Sequence, residues 1–138
     1  MRRSGHLAIA ALLLILPACG DDGPGIDLQP AGSFSGEFAP VDGAGPGEVS
    51  FRLNDAASGI VTARLDPGFT GLECPEGDVL ESGGFQVEYE PQLPISGTSF
   101  SDAGWSGTFS SPTAVSGTYD LSDDYDCDVT LEWSATAD

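Results

Sequence analysis

Five aspartates fall within nine residues at Asp120, Asp123, Asp124, Asp126 and Asp128. Carboxylate oxygens at that density are the hard ligands that calcium takes. The spacing is not that of the helix-flanked calcium loop, which needs a glycine at its sixth position and a closing glutamate at its twelfth. The same segment also reads as a solvated turn between two strands, with alternation aiming Asp126 and Asp128 at water, opposite Cys127. A second acidic group, Glu73, Glu76 and Asp78, surrounds Cys74. Weak calcium binding is thus the only cofactor chemistry that these residue types suggest, and the sequence demands no other cofactor.

The third cysteine, Cys19, ends a different kind of segment. Arg2 and Arg3 open the chain, an apolar run of ten residues extends from Leu7 to Leu16, and Leu16-Pro17-Ala18-Cys19 follows. A positive start, a short apolar run and small residues before a cleavage point make a secretory signal. Ten residues are too few to cross a bilayer, which takes about 20. The motif resembles the bacterial lipobox, Leu-(Ala/Ser/Thr)-(Gly/Ala)-Cys, matching at Leu16, Ala18 and Cys19, with Pro17 where a small non-proline residue is usual. The resemblance implies a lipid on the Cys19 sulfur, removal of residues 1–18, and acyl chains enough for stable anchoring. Gly20 follows the cysteine and Asp21 comes one later. The inner-membrane retention signal of aspartate directly after cysteine is therefore absent, and the outer membrane is the expected residence in a cell with two membranes.

With Cys19 assigned to lipid, Cys74 and Cys127 remain as an even pair in an exported domain. Oxidising compartments favour a disulfide between them. Two thiolates alone make a poor zinc site, since the sole histidine, His6, leaves with the leader. The bridge would make neighbours of the acidic groups at Glu73–Asp78 and Asp120–Asp128.

Beyond Cys19 the chain has no histidine and no lysine, and only Arg52 and Arg64 oppose its 22 acidic residues. A serine nucleophile would lack its imidazole or amine partner. Carboxylate pairs could in principle hydrolyse glycosides, but no pair stands apart from the other acids. The reading is of a non-enzymatic protein. So acidic a surface repels nucleic-acid phosphates and anionic headgroups, leaving cations, basic proteins and peptides as polar partners. The acids are spread along the whole chain, which also fits adaptation to a salty medium.

The elements that must position these groups are strands. Gly20–Ala31 mixes glycine, proline and aspartate without periodicity and reads as a flexible tether, so residues 19–31 are assigned to it and 32–138 to the domain. From Ser33 the period is two: Phe34, Gly36 and Phe38, then Val49, Phe51 and Leu53, then Phe85, Val87 and Tyr89. Trp105, Gly107 and Phe109 follow, then Val115, Gly117, Tyr119 and Leu121, and last Cys127, Val129, Leu131, Trp133 and Ala135. Ile60–Leu65 is a mixed β-branched run, expected to be buried on both faces. Asp42-Gly43, Asn54-Asp55, Asp66-Pro67-Gly68 and Gly83-Gly84 punctuate. No stretch carries helical spacing. Seven or eight short strands with regular turns predict a small antiparallel all-β domain, a sandwich or a barrel.

A repeat runs through the strands: Phe34-Ser-Gly-Glu-Phe38, Trp105-Ser-Gly-Thr-Phe109 and Val115-Ser-Gly-Thr-Tyr119. Each glycine shares a face with two large residues, where a missing side chain makes room for a ring or permits a bend. Trp105 and Tyr125 could form a sugar-stacking platform on an exposed face, but core packing is the favoured reading of such aromatic stripes and carbohydrate binding the minor one.

Residues 48–138 resemble a domain type common in exported bacterial proteins of unknown function. The match is carried by Ser106-Gly107-Thr108-Phe109, Ala114-Val115-Ser116-Gly117-Thr118-Tyr119, and Cys127 with Trp133-Ser134-Ala135. Val49-Ser50-Phe51-Arg52, Ile60-Val61 and Cys74 match upstream. The resemblance implies a disulfide-stapled β-sandwich and brings no catalytic residues. The expectation is thus a lipid-anchored, acidic envelope protein with a binding or structural role, its partners the membrane and an envelope protein or glycan. A calcium- or carbohydrate-binding module built on the acidic loops beside the bridge is the alternative.

Overall fold

The alternating runs form strands because every second side chain is apolar and can be buried on one face. The structure, a computed structural model, describes residues 26–138. In chain order the elements are β1 (Ser33–Phe38), β2 (Glu48–Leu53), β3 (Gly59–Asp66), β4 (Leu72–Glu73), β5 (Val79–Leu80) and β6 (Phe85–Pro94). β7 (Ser99–Asp102), β8 (Trp105–Ser111), β9 (Ala114–Asp120), α1 (Ser122–Tyr125) and β10 (Thr130–Ala137) complete them.

Eight strands make one antiparallel sheet in the order β6-β3-β2-β1-β10-β9-β8-β7, and β4 and β5 make a separate hairpin. β10 returns to pair with β1, so the meander curls into a nearly closed barrel rather than two stacked sheets. The seam lies between β6 and β7. Ser96 and Ser99 exchange both backbone hydrogen bonds at the tip of that hairpin. Pro94 and Pro91 then follow on β6, and with no N–H to donate they do not extend the ladder. The Tyr89 hydroxyl crosses the seam instead and donates to Asp102 Oδ2 at 2.9 Å.

The aromatic stripes fill the barrel. Phe51 stacks on Phe34 at 5.1 Å and meets Phe100, Trp105, Phe109 and Trp133 edge-on at 5.8–6.2 Å. Such ring pairs add specific attraction to the area they bury. The repeated glycines serve one expected purpose, room for a ring, and one the sequence did not suggest. A Cβ on Gly107 would strike the rings of Phe100 and Trp133, whereas one on Gly36 or Gly117 would strike the neighbouring strand's backbone, Ser134 O and Ser106 O respectively. Gly107 admits rings; Gly36 and Gly117 admit a close strand approach.

Three features differ from the pattern read in the sequence. β3 is buried on one face: Ile60, Ala63 and Leu65 point inward, while Arg64 is exposed. Against β2, Val61 is the extra residue of a bulge, so the inward Ile60 and Ala63 sit three apart and mimic a two-faced run; on the other side it is β6 that carries the extra residues, 89–92, opposite Val61. Second, one helical turn, α1, interrupts the Asp120–Asp128 segment. It buries no residue, so it carries no apolar spacing to reveal it. Third, β7 has a single apolar residue, Phe100, too few to register as alternation.

The folded body also starts before the tether boundary at Ala31. Leu28 is only 7% exposed within the core and Ile26 packs against it. The Ala31 amide donates to Asn54 O and the Leu53 amide to Gly32 O, seating this segment beside the β2–β3 turn. That end of the barrel, the tail end, also carries the β6–β7 and β8–β9 turns and the terminal Asp138, whose amide donates to Ser33 O. The opposite lid end carries the β1–β2 loop, residues 67–84 with the β4–β5 hairpin, and the β9–β10 connection. Among the described residues no helix is long and apolar enough to cross a membrane.

Candidate functional site

The acidic groups gather at the lid end because a disulfide holds two excursions of the chain together there. Cys74 ends the β4 side of the lid hairpin and Cys127 precedes β10. Their Cα atoms lie 5.2 Å apart, and the bond joins residues separated by 53 in sequence. Both cysteines are buried. Around the bond, Phe69 of the lid meets Tyr125 of α1 edge-on at 5.2 Å, and the Gly84 amide donates to the Tyr125 hydroxyl at 2.8 Å. The Asp128 amide donates to Glu76 Oε1 at 3.1 Å. The two acidic segments are thus neighbours, with one carboxylate satisfied by the other segment's backbone.

The five aspartates have separate surroundings. Asp120 ends β9, where its Oδ1 accepts from the Ser122 amide at the start of α1. That backbone bond holds the carboxyl below its ordinary value. Asp124 accepts the hydroxyl of Tyr119. Asp123, Asp126 and Asp128 are exposed; Asp126 caps α1 and Asp128 lies before β10, so neither stands in a strand. No three of the five carboxylates converge among the described residues. The one group of three metal-type ligand atoms within 4.8 Å of one another is Cys74, Glu76 and Cys127, and there both sulfurs are joined to each other.

The aromatic candidates are structural. Trp105 is 1% exposed and lies inside the barrel, so it cannot stack on a sugar from outside; the platform with Tyr125 is not formed. Its indole N–H has no hydrogen-bond partner. Trp133 is equally buried, its N–H donating to Ser106 O at 3.2 Å. Tyr125 is half-buried against Phe69.

Two tyrosine hydroxyls carry displaced acidities. Burial first, and then the bond each donates to a carboxylate, push Tyr89 and Tyr119 well above the ordinary tyrosine value, through Asp102 and Asp124 respectively. Both pairings escaped the sequence reading, because the partners share no motif. The alternation of Ile26 and Leu28 was the one signal that the tether's last residues dock.

A surface groove of about 650 Å³ lies over β7, β8 and β9 and the end of β6. Ser99, Ser101, Ser106, Thr108 and Thr118 line it with hydroxyls, and none of its lining residues is ionisable. It offers hydrogen bonds and no acid–base chemistry. Cys19 and the whole leader lie outside the described residues. The chain matches no protein-family model, no curated protein and no solved structure.

Proposed function

We propose that this chain is a lipid-anchored, non-enzymatic protein of a bacterial cell envelope, held through Cys19, with the barrel acting as a binding or structural module. The observation that carries this reading is the leader: Arg2-Arg3, the apolar run Leu7–Leu16 and Leu16-Pro17-Ala18-Cys19. A disulfide between the two remaining cysteines agrees with an oxidising compartment outside the cytoplasm. The barrel interior is occupied by rings rather than by a cleft, and the surface groove is lined by hydroxyls together with Leu93, Pro94 and Phe100. This supports contact with a protein or glycan over a catalytic role. Gly20 after the anchor favours the outer membrane.

Expression in a two-membrane bacterium fed an alkyne-bearing fatty acid tests the anchor. The chain takes up the label and partitions into detergent, and Cys19→Ser loses both properties while the protein is still exported. A wild-type chain without label, or label that survives Cys19→Ser, refutes the reading.

A further inference from the structure

Acidic charge is densest at the lid end of the barrel, and the chain enters at the opposite end, where the exposed Asp55 and Asp138 stand with Arg52. On the lid, Glu73, Glu76 and Asp78 face outward, and Asp123, Asp126 and Asp128 stand on the neighbouring β9–β10 connection, all exposed. The strands continue the gradient. Across β1, β2 and β3 the outward row nearest the lid reads Glu37, Glu48 and Asp66 in register. The corresponding row nearest the tail reads Ser33, Arg52 and Thr62. The β6–β7 and β8–β9 turns at the tail, residues 95–98 and 112–113, carry no charge at all.

The described chain begins at this same tail end, where Leu28 is buried and Ala31 is bonded to Asn54. Leu28 stands nine residues after Cys19, a reach of about 30 Å when fully extended. β10, with eight residues, is itself about 26 Å long. Turning the lid toward the lipid would use nearly the whole tether to run back along the barrel. It would also press the acidic end against anionic headgroups, whose negative potential acts within a Debye length of the surface.

We infer that the barrel stands on the membrane tail end down, with the β6–β7 and β8–β9 turns against an anionic lipid surface and the disulfide-bound acidic lid displayed away from it. The inference rests on the reading of Cys19 as the anchor. Two independent features, the docking of the N-terminal segment and the axial charge gradient, select the same orientation.

The test uses the full lipidated chain in vesicles of phosphatidylethanolamine and phosphatidylglycerol with a nitroxide quencher on the headgroups. Thr113→Cys places a fluorophore on the tail end and Val79→Cys places one on the lid, both at exposed positions. With Cys19 acylated and Cys74 bonded to Cys127, each introduced thiol is the only free one. Emission from position 113 is lost to the quencher and emission from position 79 is retained. Equal quenching, or stronger quenching at 79, overturns the orientation. The mass of the N-terminal peptide and flotation with the vesicles are read on the same samples. A bare Cys19 that does not float removes the anchor and the orientation together, whereas an acylated, floating chain with the wrong quenching pattern removes the orientation alone.

Discussion

Replacing both Cys74 and Cys127 with alanine separates the lid from the β9–β10 connection and should cost this domain a large part of its stability. The bond joins residues separated by 53, and closing a loop of that size restricts the unfolded chain by about 4 kcal/mol in the chain-entropy model. For a domain of about a hundred residues each kcal/mol corresponds to roughly 4–8 °C, so the midpoint should fall by about 15–30 °C. A smaller opposing effect comes from charge. The bond holds Glu76 against the Asp128 backbone and so keeps the acidic lid hairpin next to the acidic β9–β10 connection. Releasing the lid relieves that repulsion, worth about 1 kcal/mol per exposed pair at 4 Å in water. Screening shortens from about 30 Å at 0.01 M salt to about 3 Å at 1 M. The loss on removing the bond should therefore be greater in high salt than in low. Urea unfolding of the wild type and the double variant, at both salt concentrations, measures it. A loss below about 1 kcal/mol in high salt would refute the account and assign the lid's hold to the Phe69–Tyr125 contact and the hydrogen bonds beside it. A loss that shrinks as salt rises would refute the charge argument by itself.

Gly117→Ala would place a methyl 1.8 Å from Ser106 O. It should destabilise by about 3 kcal/mol, at the upper end for overpacking. Ser116→Ala, exposed on the same strand, should stay within about 0.5 kcal/mol, and thermal unfolding compares the two. Tyr89 and Tyr119 have pKa values raised in the folded state, and so are weaker acids there; the unfolded chain therefore releases these protons first. Their contribution is complete below about pH 10 and is lost as pH rises above it. Unfolding midpoints should decline through that alkaline window, and Tyr119→Phe should flatten the decline; a slope unchanged by the substitution would count against it. Because the five aspartates do not converge, millimolar calcium should raise the midpoint no more than magnesium at equal ionic strength, and a calcium-specific rise in calorimetry would overturn that expectation.

The period-two pattern in the sequence was enough to place seven of the main strands and assign an all-β fold, because burying one face of a strand forces alternation. The same alternation marked the aromatic core, and the even count of cysteines left after Cys19 marked the Cys74–Cys127 pair. β7 and α1 were not legible, as one holds a single apolar residue and the other buries none. The bulge at Val61 disguised the face of β3. Barrel against sandwich was open in the sequence because both bury the same alternating residues. Only the return of β10 to β1, which joins the two halves of the meander into one sheet, decides it. The candidate site divides in the same way. That two acidic segments flank the cysteines was visible in one dimension. That their carboxylates point apart, engage Ser122, Tyr119 and the Asp128 amide, and lie at the end opposite the incoming chain depends on contacts between residues distant in sequence. Side-chain direction at a turn is set by such contacts, and residue spacing does not encode it.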